Sequence, residues 1–264
     1  MTEMSTAGDG VHAYLAVQVE ALRAFREPVM RAEEDAVHRM RVATRRLRSL
    51  LSTYGSLYAE LPLKRRRLRW LADELGSVRD LEVLRMRFAK RLGDERPEWF
   101  AELEEKERLA YGPLIEACGR ERTGKLLDAA GSLAAAPVFT PAAAQPADEV
   151  LGPIVEASRL EMARAIEAVA GAADPDEARH QARNAAKRAR YTAEAATALG
   201  ESAAVVAADA KRIQNRYGRC QDDAVAIAYL EAHAPDSPLL DDERRRHAKH
   251  IARAAAALET VEAA

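Results

Sequence analysis

The sequence predicts an all-α fold built from two copies of one helical unit. Ala, Leu, Glu and Arg, which favour helices, are abundant, whereas aromatic residues make up only 5% of the chain and prolines number 11 in 264 residues. Long stretches with helical periodicity are separated by short breaks at glycine and proline. Two stretches of the chain also align without gaps at an offset of 142 residues. We therefore expect helices throughout, with strands absent or nearly so.

The helices are predicted from the spacing of apolar residues and from breaks at 93–97, 171–175 and 233–238. The longest interruption, 132–148, contains three prolines and is predicted to be a linker. It divides the chain into an N-terminal half at 1–131 and a C-terminal half at 149–264, which together form one domain. The predicted helices are 11–30, 35–55, 61–76, 79–92, 98–129, 149–170, 176–199, 202–217, 221–232 and 239–262.

Several features of the sequence predict a cytoplasmic protein without a membrane partner. The N-terminus lacks a basic segment followed by an apolar one, and no apolar stretch approaches the roughly 20 residues that span a bilayer. The two cysteines, Cys118 and Cys220, have no second cysteine at the spacing of a metal or redox motif. The composition gives no indication of a cofactor or of an oligomeric state.

Charge is strongly segregated although the formal net charge is only -2. Residues 38–91 carry 15 Lys and Arg against 5 Asp and Glu, and residues 179–219 carry 9 against 3. Residues 94–178 between them carry 8 against 18. Two separated basic blocks indicate an anionic partner more strongly than the overall charge does.

The internal repeat lies within these basic blocks. VHRMRVATRRLRSL from Val37 aligns with RHQARNAAKRARYT from Arg179. The same offset continues into the following segments, so helix and loop lengths are equal in both halves. The paired residues are His38 with His180, Arg41 with Arg183, Arg45 with Lys187, Arg48 with Arg190, Gly76 with Gly218, and Asp80 with Asp222.

On a helix, the four basic positions of each copy share one face, which we call the basic row. A second face, the core row, lies about 100° around the axis and carries small or apolar residues. The helix is therefore predicted to bury the core row and to present the basic row beside it. The basic rows are His38, Arg41, Arg45 and Arg48, and His180, Arg183, Lys187 and Arg190; the core rows are Val37, Met40, Thr44, Leu47 and Leu51, and Ala182, Ala185, Ala189 and Ala193.

Rows of like charge destabilise a helix by a few tenths of a kcal/mol per pair unless an anion offsets them. The forked N–H donors of arginine match the oxygens of phosphate or carboxylate groups. A histidine at the first position of each row adds a positive charge near neutral pH.

Gly76 and Gly218 are predicted to end helices in the left-handed conformation. Asp80 and Asp222 are predicted either to cap the next helix or to hold a row arginine. Further cations that could extend the basic surface are Arg66, Arg69, Lys211 and Arg212.

These motifs resemble the CHAD family, the conserved-histidine α-helical domain. The resemblance is carried by VHRMRVATRRLRSLL at 37–51 and LGSVRDLEVL at 75–84, with weaker second copies at 179–196 and 217–230. It implies two pseudo-symmetric four-helix halves with a central basic groove, non-catalytic binding of inorganic polyphosphate, and recruitment to polyphosphate granules. The groove would be lined by both basic rows, with Arg66, Arg69, Lys211 and Arg212 as plausible additions. Gln221 departs from the pattern, because Arg79 stands at the matching position, so weaker binding is expected in the second half.

Two alternatives follow from the same residues. A basic surface also suits nucleic acid, although the rows contain few aromatic side chains for base stacking. An enzymatic or metal-binding role for His38 and His180 is disfavoured, because neither has a second ligand residue at metal spacing in its own helix. His247 and His250 lie in a basic stretch that follows three acidic residues, and we expect an ordinary solvated helix there.

Overall fold

The computed structural model describes the backbone of residues 6–262 and the side chains up to residue 255, and it confirms the all-α fold. In that part of the chain only two isolated β-bridges occur, between Thr6 and Pro146 and between Tyr58 and Phe139. No helix within residues 6–262 combines the length and the apolar character needed to cross a bilayer. The helices are α1 (Ala7–Ala24), α2 (Arg26–Met30), α3 (Ala36–Thr53), α4 (Arg65–Leu92), α5 (Glu98–Gly119), α6 (Glu121–Ala135), α7 (Ala147–Glu167), α8 (Pro175–Ala195), α9 (Glu201–His233) and α10 (Pro238–Glu262).

Two predicted breaks are wrong, because the helices run through them. The predicted helices 61–76 and 79–92 form the single helix α4, and 202–217 and 221–232 form α9. A glycine inside a helix costs about 1 kcal/mol relative to alanine but does not end it. Conversely, the predicted helix 98–129 divides into α5 and α6 at Arg120, whose backbone is extended.

Other helix ends follow from local chemistry. Gly93 ends α4 with a φ of +59°, a conformation that favours glycine, and Lys90 and Arg91 lie in the last turn of that helix. The Asp174 side chain accepts hydrogen bonds from the backbone N–H groups of Asp176 and Glu177, both at 3.1 Å, where α8 begins. Pro175 suits this position because the first turn of a helix needs no proline N–H.

The chain divides into two compact units. The first unit comprises the chain up to Gly152 together with Ala195–Leu199, and the second comprises Pro153–Glu194 and the chain from Gly200 onward. The boundary therefore falls within α7. The short segment that starts at the last residue of α8 also belongs to the first unit. The pseudo-symmetric relation of the two halves stays a prediction.

In the first unit, α3 packs against both α1 and α4. All five residues of its core row are buried, with at most 3% of their surface exposed. They belong to a core of large aliphatic and aromatic side chains that includes Leu71 of α4 and Phe88 near the end of that helix. Burial of such side chains contributes about 1.5–3 kcal/mol each, so this packing fixes the rotation of α3 about its axis.

The predicted linker 132–148 is largely an ordered part of the first unit. Its first residues complete α6, and its last residues begin α7. Between them, the backbone N–H of Ala59 donates to the Val138 carbonyl at 2.7 Å, and that of Thr140 donates to the Leu57 carbonyl at 2.9 Å. The Phe139 ring lies 5.4 Å from the Tyr58 ring. The prolines interrupt the helix here without releasing the chain from the core.

In the second unit, alanine replaces the large aliphatic side chains of the core row. Each of its four alanines is at most 2% exposed, so their predicted burial is confirmed. Ala185 and Ala189 pack with Met162 of α7 and Ala210 of α9. A second cluster joins Ala182 to neighbours on α7, α9 and α10. Small side chains on α8 thus provide the surface against which its neighbours pack.

We expect Ala189→Leu to destabilise the protein, because Leu47 is the matching residue of the first unit and this packed alanine core has no space prepared for it. Overpacking of this kind costs about 1–3 kcal/mol. The matched control is Ala208→Leu at an exposed site on α9, which should change stability by less than about 0.5 kcal/mol. Denaturant unfolding measures both variants. Stabilisation by Ala189→Leu would show that the core contains unfilled volume.

Candidate functional site

The structure places the basic row of α3 at the edge of the buried core. Its four side chains are all half-buried, next to a core row that is fully buried. On α8 the four basic-row residues are likewise all half-buried, beside the buried alanines. Each row spans ten residues of helix, which corresponds to about 15 Å along the axis. The predicted division of each helix into a packed face and a cationic face is thus present in both units.

Gly76 of α4 provides the space in which the Arg41 guanidinium lies. A Cβ atom at Gly76 would lie 3.7 Å from Cζ of Arg41 and 3.8 Å from both of its terminal nitrogens. Arg41 Nη1 also donates to the Ala72 carbonyl at 3.5 Å, and Nη2 lies 4.0 Å from a carboxylate oxygen of Asp80. The guanidinium is therefore held flat against one turn of α4.

The second unit repeats this contact with the matching residues. A Cβ atom at Gly218 of α9 would lie 3.4 Å from Nε of Arg183 and 3.9 Å from its Nη2. Gly76 and Gly218 lie inside helices, and neither has a positive φ. The prediction that they end helices was therefore wrong. Their shared offset with the arginines was visible in the sequence, but only the packing shows that each glycine faces its arginine.

Asp80 was predicted either to cap a helix or to hold a row arginine, and it adopts the second role in part. No helix begins near it, since α4 continues to Leu92, so it caps nothing. Its carboxylate lies at 4.0 Å from Arg41 and is 74% exposed. Because solvent screens such a contact, the pair of Asp80 and Arg41 contributes little stability.

At the head of the first row, His38 lies in a cationic environment. Burial lowers the pKa of His38, and the positive charge of Arg79 lowers it further, whereas Asp35 and Glu82 act in the opposite direction. Arg79 itself donates to Glu82 at 2.9 Å, and this carboxylate is only 8% exposed. The neutral imidazole is therefore favoured until an anion approaches.

Glu82 is held from a second helix. The Tyr111 hydroxyl on α5 donates to Oε1 of Glu82 at 2.5 Å, while Arg79 donates to Oε2. Burial and the neighbouring carboxylate raise the pKa of Tyr111 well above its usual range, so the hydroxyl remains a donor. From the sequence, Arg79 was considered only through its replacement by Gln221, and Glu82 was not placed in the site. Their i, i+3 spacing was the signal available, and Tyr111 is 29 residues farther along the chain.

The head of the second row has a different partner. His180 Nδ1 lies 3.4 Å from the side-chain oxygen of Gln221, the residue that matches Arg79. A neutral amide thus replaces a guanidinium beside the histidine. The second unit has lost one positive charge at this position, as the sequence indicated.

The end of the second row is internally neutralised. Arg190 donates to Glu194 at 2.6 Å, with both side chains less than 20% exposed, and its Nη1 lies 3.4 Å from the oxygen of Gln214. Lys187 donates to Asn184 at 3.4 Å. Ser52 occupies the position in the first unit that matches Glu194. The end of the second row therefore has an acidic partner that the sequence of the first unit lacks at the matching position.

The four additional cations lie on exposed surface. Arg66 and Arg69 are exposed on α4, and Lys211 and Arg212 are exposed on α9. Arg212 forms an ion pair with Asp209 at 2.7 Å, which reduces its charge for a ligand. Arg65 is also exposed, and it donates to the Ser52 hydroxyl at 3.2 Å.

The C-terminal histidines contact a buried carboxylate. His250 Nδ1 lies 2.5 Å from an oxygen of Asp223 on α9, and His247 Nδ1 lies 4.0 Å from the same atom, while Asp223 is 1% exposed. Local ion pairs are also present on this helix, between Arg244 and Asp241 and between Arg245 and Asp242. The histidines therefore link α10 to α9. Among the side chains described, no group of three or more His, Cys, Asp and Glu residues is arranged to hold a metal ion.

Comparison with curated proteins finds relatives of this chain in mycobacteria. The chain is 35% identical over 240 residues to the uncharacterized protein Rv2226 of Mycobacterium tuberculosis strain H37Rv. It is 34% identical over 240 residues to the uncharacterized protein MT2285 of strain CDC 1551. Each match covers 84% of this chain and 45% of the relative, so the chain spans about half the length of these proteins.

Solved structures share the fold. PptA from Streptomyces chartreusis superimposes with a TM-score of 0.71 at 20% identity, covering 97% of this chain and 100% of that one. The CHAD domain from the plant Ricinus communis superimposes with a TM-score of 0.68 at 21% identity, covering 97% and 89% of the two chains. The model of the CHAD domain matches residues 13–231, which include both basic rows. The chain therefore belongs to the CHAD domain family.

Proposed function

We propose that this protein binds inorganic polyphosphate through the basic rows of α3 and α8, without catalysis, and that binding recruits it to polyphosphate granules. The main observation behind the proposal is that the Arg41 side chain packs against Gly76 and that the Arg183 side chain packs in the same way against Gly218. A guanidinium held in place loses less side-chain entropy when it binds an oxyanion than a freely rotating one does. Membership of a family in which some proteins bind polyphosphate supports the same ligand.

The form of the rows suits a linear polyanion. Each row places charged side chains along about 15 Å of helix, and all eight of these residues are half-buried. Charge-assisted hydrogen bonds from arginine to phosphate contribute about 1.5–3 kcal/mol each. Several such contacts produce strong binding that weakens steeply with salt. We expect the first row to contribute more, because Arg190 of the second row is already paired with Glu194.

The combined variant Arg41→Gln, Arg45→Gln, Arg183→Gln and Lys187→Gln should bind long-chain polyphosphate more than about a hundredfold less tightly. Glutamine retains much of the side-chain stem, so packing along the core should survive. Titration calorimetry at fixed salt measures the affinity, and circular dichroism verifies the helical content. The slope of log K against log salt should fall in magnitude by about 3.

A matched control removes four positive charges elsewhere. Four exposed residues form ion pairs with acidic neighbours three or four positions away: Arg108, Arg120, Lys125 and Arg159. Changing these four to glutamine should alter polyphosphate affinity by less than about threefold, because their charges are already offset and largely screened. An equal loss of polyphosphate affinity in the two quadruple variants would show that net charge, and not the basic rows, determines binding.

Displacement of polyphosphate by single-stranded RNA at equal phosphate concentration would instead favour nucleic acid as the ligand.

Gly76→Leu should weaken polyphosphate binding without removing any charge. A Cβ atom at Gly76 makes ordinary contact with Arg41, but a leucine side chain must displace the guanidinium. We expect about a tenfold loss, equivalent to one charge-assisted hydrogen bond, whereas Gly76→Ala should bind normally and be up to about 1 kcal/mol more stable. The control is Gly124→Leu, where the added Cβ meets no atom within 4 Å. Normal polyphosphate binding by the Gly76→Leu variant would show that the contact of Arg41 with Gly76 is not needed for binding.

The affinity for polyphosphate should rise as the pH falls through about 6.5 and below, because the ligand favours protonated His38. Without ligand, the stability of the protein should instead fall as the pH falls over the same range. The pKa of His38 is lower in the folded protein than its ordinary value, so protonation opposes folding. His38→Gln should flatten part of both dependences. His233→Gln, at an exposed histidine of α9, should leave them unchanged. Parallel pH profiles for the His38 variant and the parent protein would contradict this assignment.

A further inference from the structure

The face of α3 that carries the first basic row extends one turn beyond Arg48, to Ser52. The row begins at His38, and Ser52 follows about four helical turns later, so it returns to the same face. Ser52 is exposed in the last turn of α3, which ends at Thr53. We call this place the fifth position of the row. It lengthens the row from about 15 Å to about 21 Å, but its own side chain is a hydroxyl group and not a cation.

A cation reaches the fifth position from the neighbouring helix. Arg65 is the first residue of α4, and its Nη1 donates to the Ser52 hydroxyl at 3.2 Å. The segment between α3 and α4 is held by the buried side chains of Leu57 and Leu63, each 2% exposed, so the backbone of Arg65 has a fixed place relative to α3. Ser52 and Arg48 are helical neighbours, with about 5–6 Å between their Cβ atoms. The Arg65 guanidinium therefore lies beside the end of the first row.

The second row ends differently. Glu194 stands at the position that matches Ser52, and it forms an ion pair with Arg190 at 2.6 Å. Ala207 stands at the position that matches Arg65, so no cation is supplied from there. The residues at the fifth position thus contribute one positive charge in the first unit and one negative charge in the second. An acidic side chain closes the second row at the place where the first row gains a guanidinium.

Arg65 is available to a ligand at the fifth position. Among the side chains that the structure describes, its hydrogen-bond partner is the Ser52 hydroxyl, and no carboxylate forms an ion pair with it. A guanidinium has five N–H donors, so a single bond to Ser52 leaves donors for the oxygens of an anion. The contact also restricts a long side chain, which lowers the entropy that binding costs. A polyanion that lies along α3 therefore meets a further guanidinium after Arg48.

We propose that Arg65 is a further polyphosphate-binding residue, that Ser52 positions its guanidinium, and that Glu194 excludes phosphate from the matching place in the second unit. This inference rests on the proposed function, because it extends the same ligand along α3 by one turn. It makes the two rows unequal in length as well as in charge: the first continues onto α4, whereas the second stops at Arg190.

The first test is Arg65→Gln, measured by titration calorimetry with long-chain polyphosphate at several salt concentrations. The affinity should fall by about tenfold, and the slope of log K against log salt should fall in magnitude by about 1. The control is Arg108→Gln on α5, an exposed arginine that is paired with Glu105, and it should change the affinity less than about twofold. Equal affinity in Arg65→Gln and the parent protein would overturn the inference alone. Failure of the parent protein to bind long-chain polyphosphate would refute the proposed function and this extension together.

The positioning role of Ser52 is tested by rescue and by a double-mutant cycle. Ser52→Ala should weaken polyphosphate binding severalfold, whereas Ser52→Thr, which retains a hydroxyl group, should bind like the parent protein. In the Arg65→Gln background, Ser52→Ala should cause no further loss, because it acts through Arg65. A loss that persists in that background would contradict positioning by Ser52.

Exchange of the two fifth positions tests the role of Glu194. Ser52→Glu should weaken binding more than Ser52→Ala does, because a carboxylate there pairs with Arg48 and Arg65. Ser132→Glu adds the same charge at an exposed site on α6 and should change the affinity less than about threefold. Glu194→Ser should strengthen binding severalfold by releasing Arg190, with circular dichroism verifying the helical content of every variant. Equal losses in the two glutamate variants would overturn the fifth position as a site, and unchanged affinity in Glu194→Ser would overturn exclusion by Glu194.

Discussion

The packing of α3 against α1 and α4 determines where every cation of the first row lies. Because Val37, Met40 and Leu47 are completely buried, α3 cannot rotate about its axis without exposing large apolar side chains. The basic row lies only about 100° from these residues, so the same packing fixes its direction. A rigid apolar face thereby organises charges that repel one another, and it supplies the free energy needed to keep them aligned.

The core rows of the two units, which hold α3 and α8 in place, consist of different residue types. Large aliphatic side chains define the core row of α3, whereas alanines define that of α8. The charges differ too: Arg79 faces His38, but Gln221 faces His180, and Arg190 is paired with Glu194. The second unit retains the positions of the row while losing part of its positive charge. One copy of a repeated site can thus keep its geometry while its electrostatic strength declines.

Much of the fold and of the site could be predicted from the sequence, because both depend on local periodicity. The burial of the core rows and the half-burial of the basic rows follow from the spacing of residues on one helix. What could not be predicted depends on contacts between helices. Gly76 opposite Arg41, Tyr111 on Glu82 and His250 on Asp223 join residues 27 or more positions apart. The continuity of α4 was missed because a glycine that makes room for a guanidinium looks, in sequence, like one that ends a helix.

The segment Ala195–Leu199 lies in the second half of the sequence but packs with the first half. It belongs to the first unit, where Thr197 donates to the Gly10 carbonyl at 2.9 Å, and a Cβ on Gly10 would lie 2.6 Å from that of Ala198. A single cut after residue 148 would therefore remove a piece of the first unit along with the second. The boundary of the sequence repeat and the boundary of the folded unit therefore differ, so a fragment that holds the whole first unit must extend to residue 199.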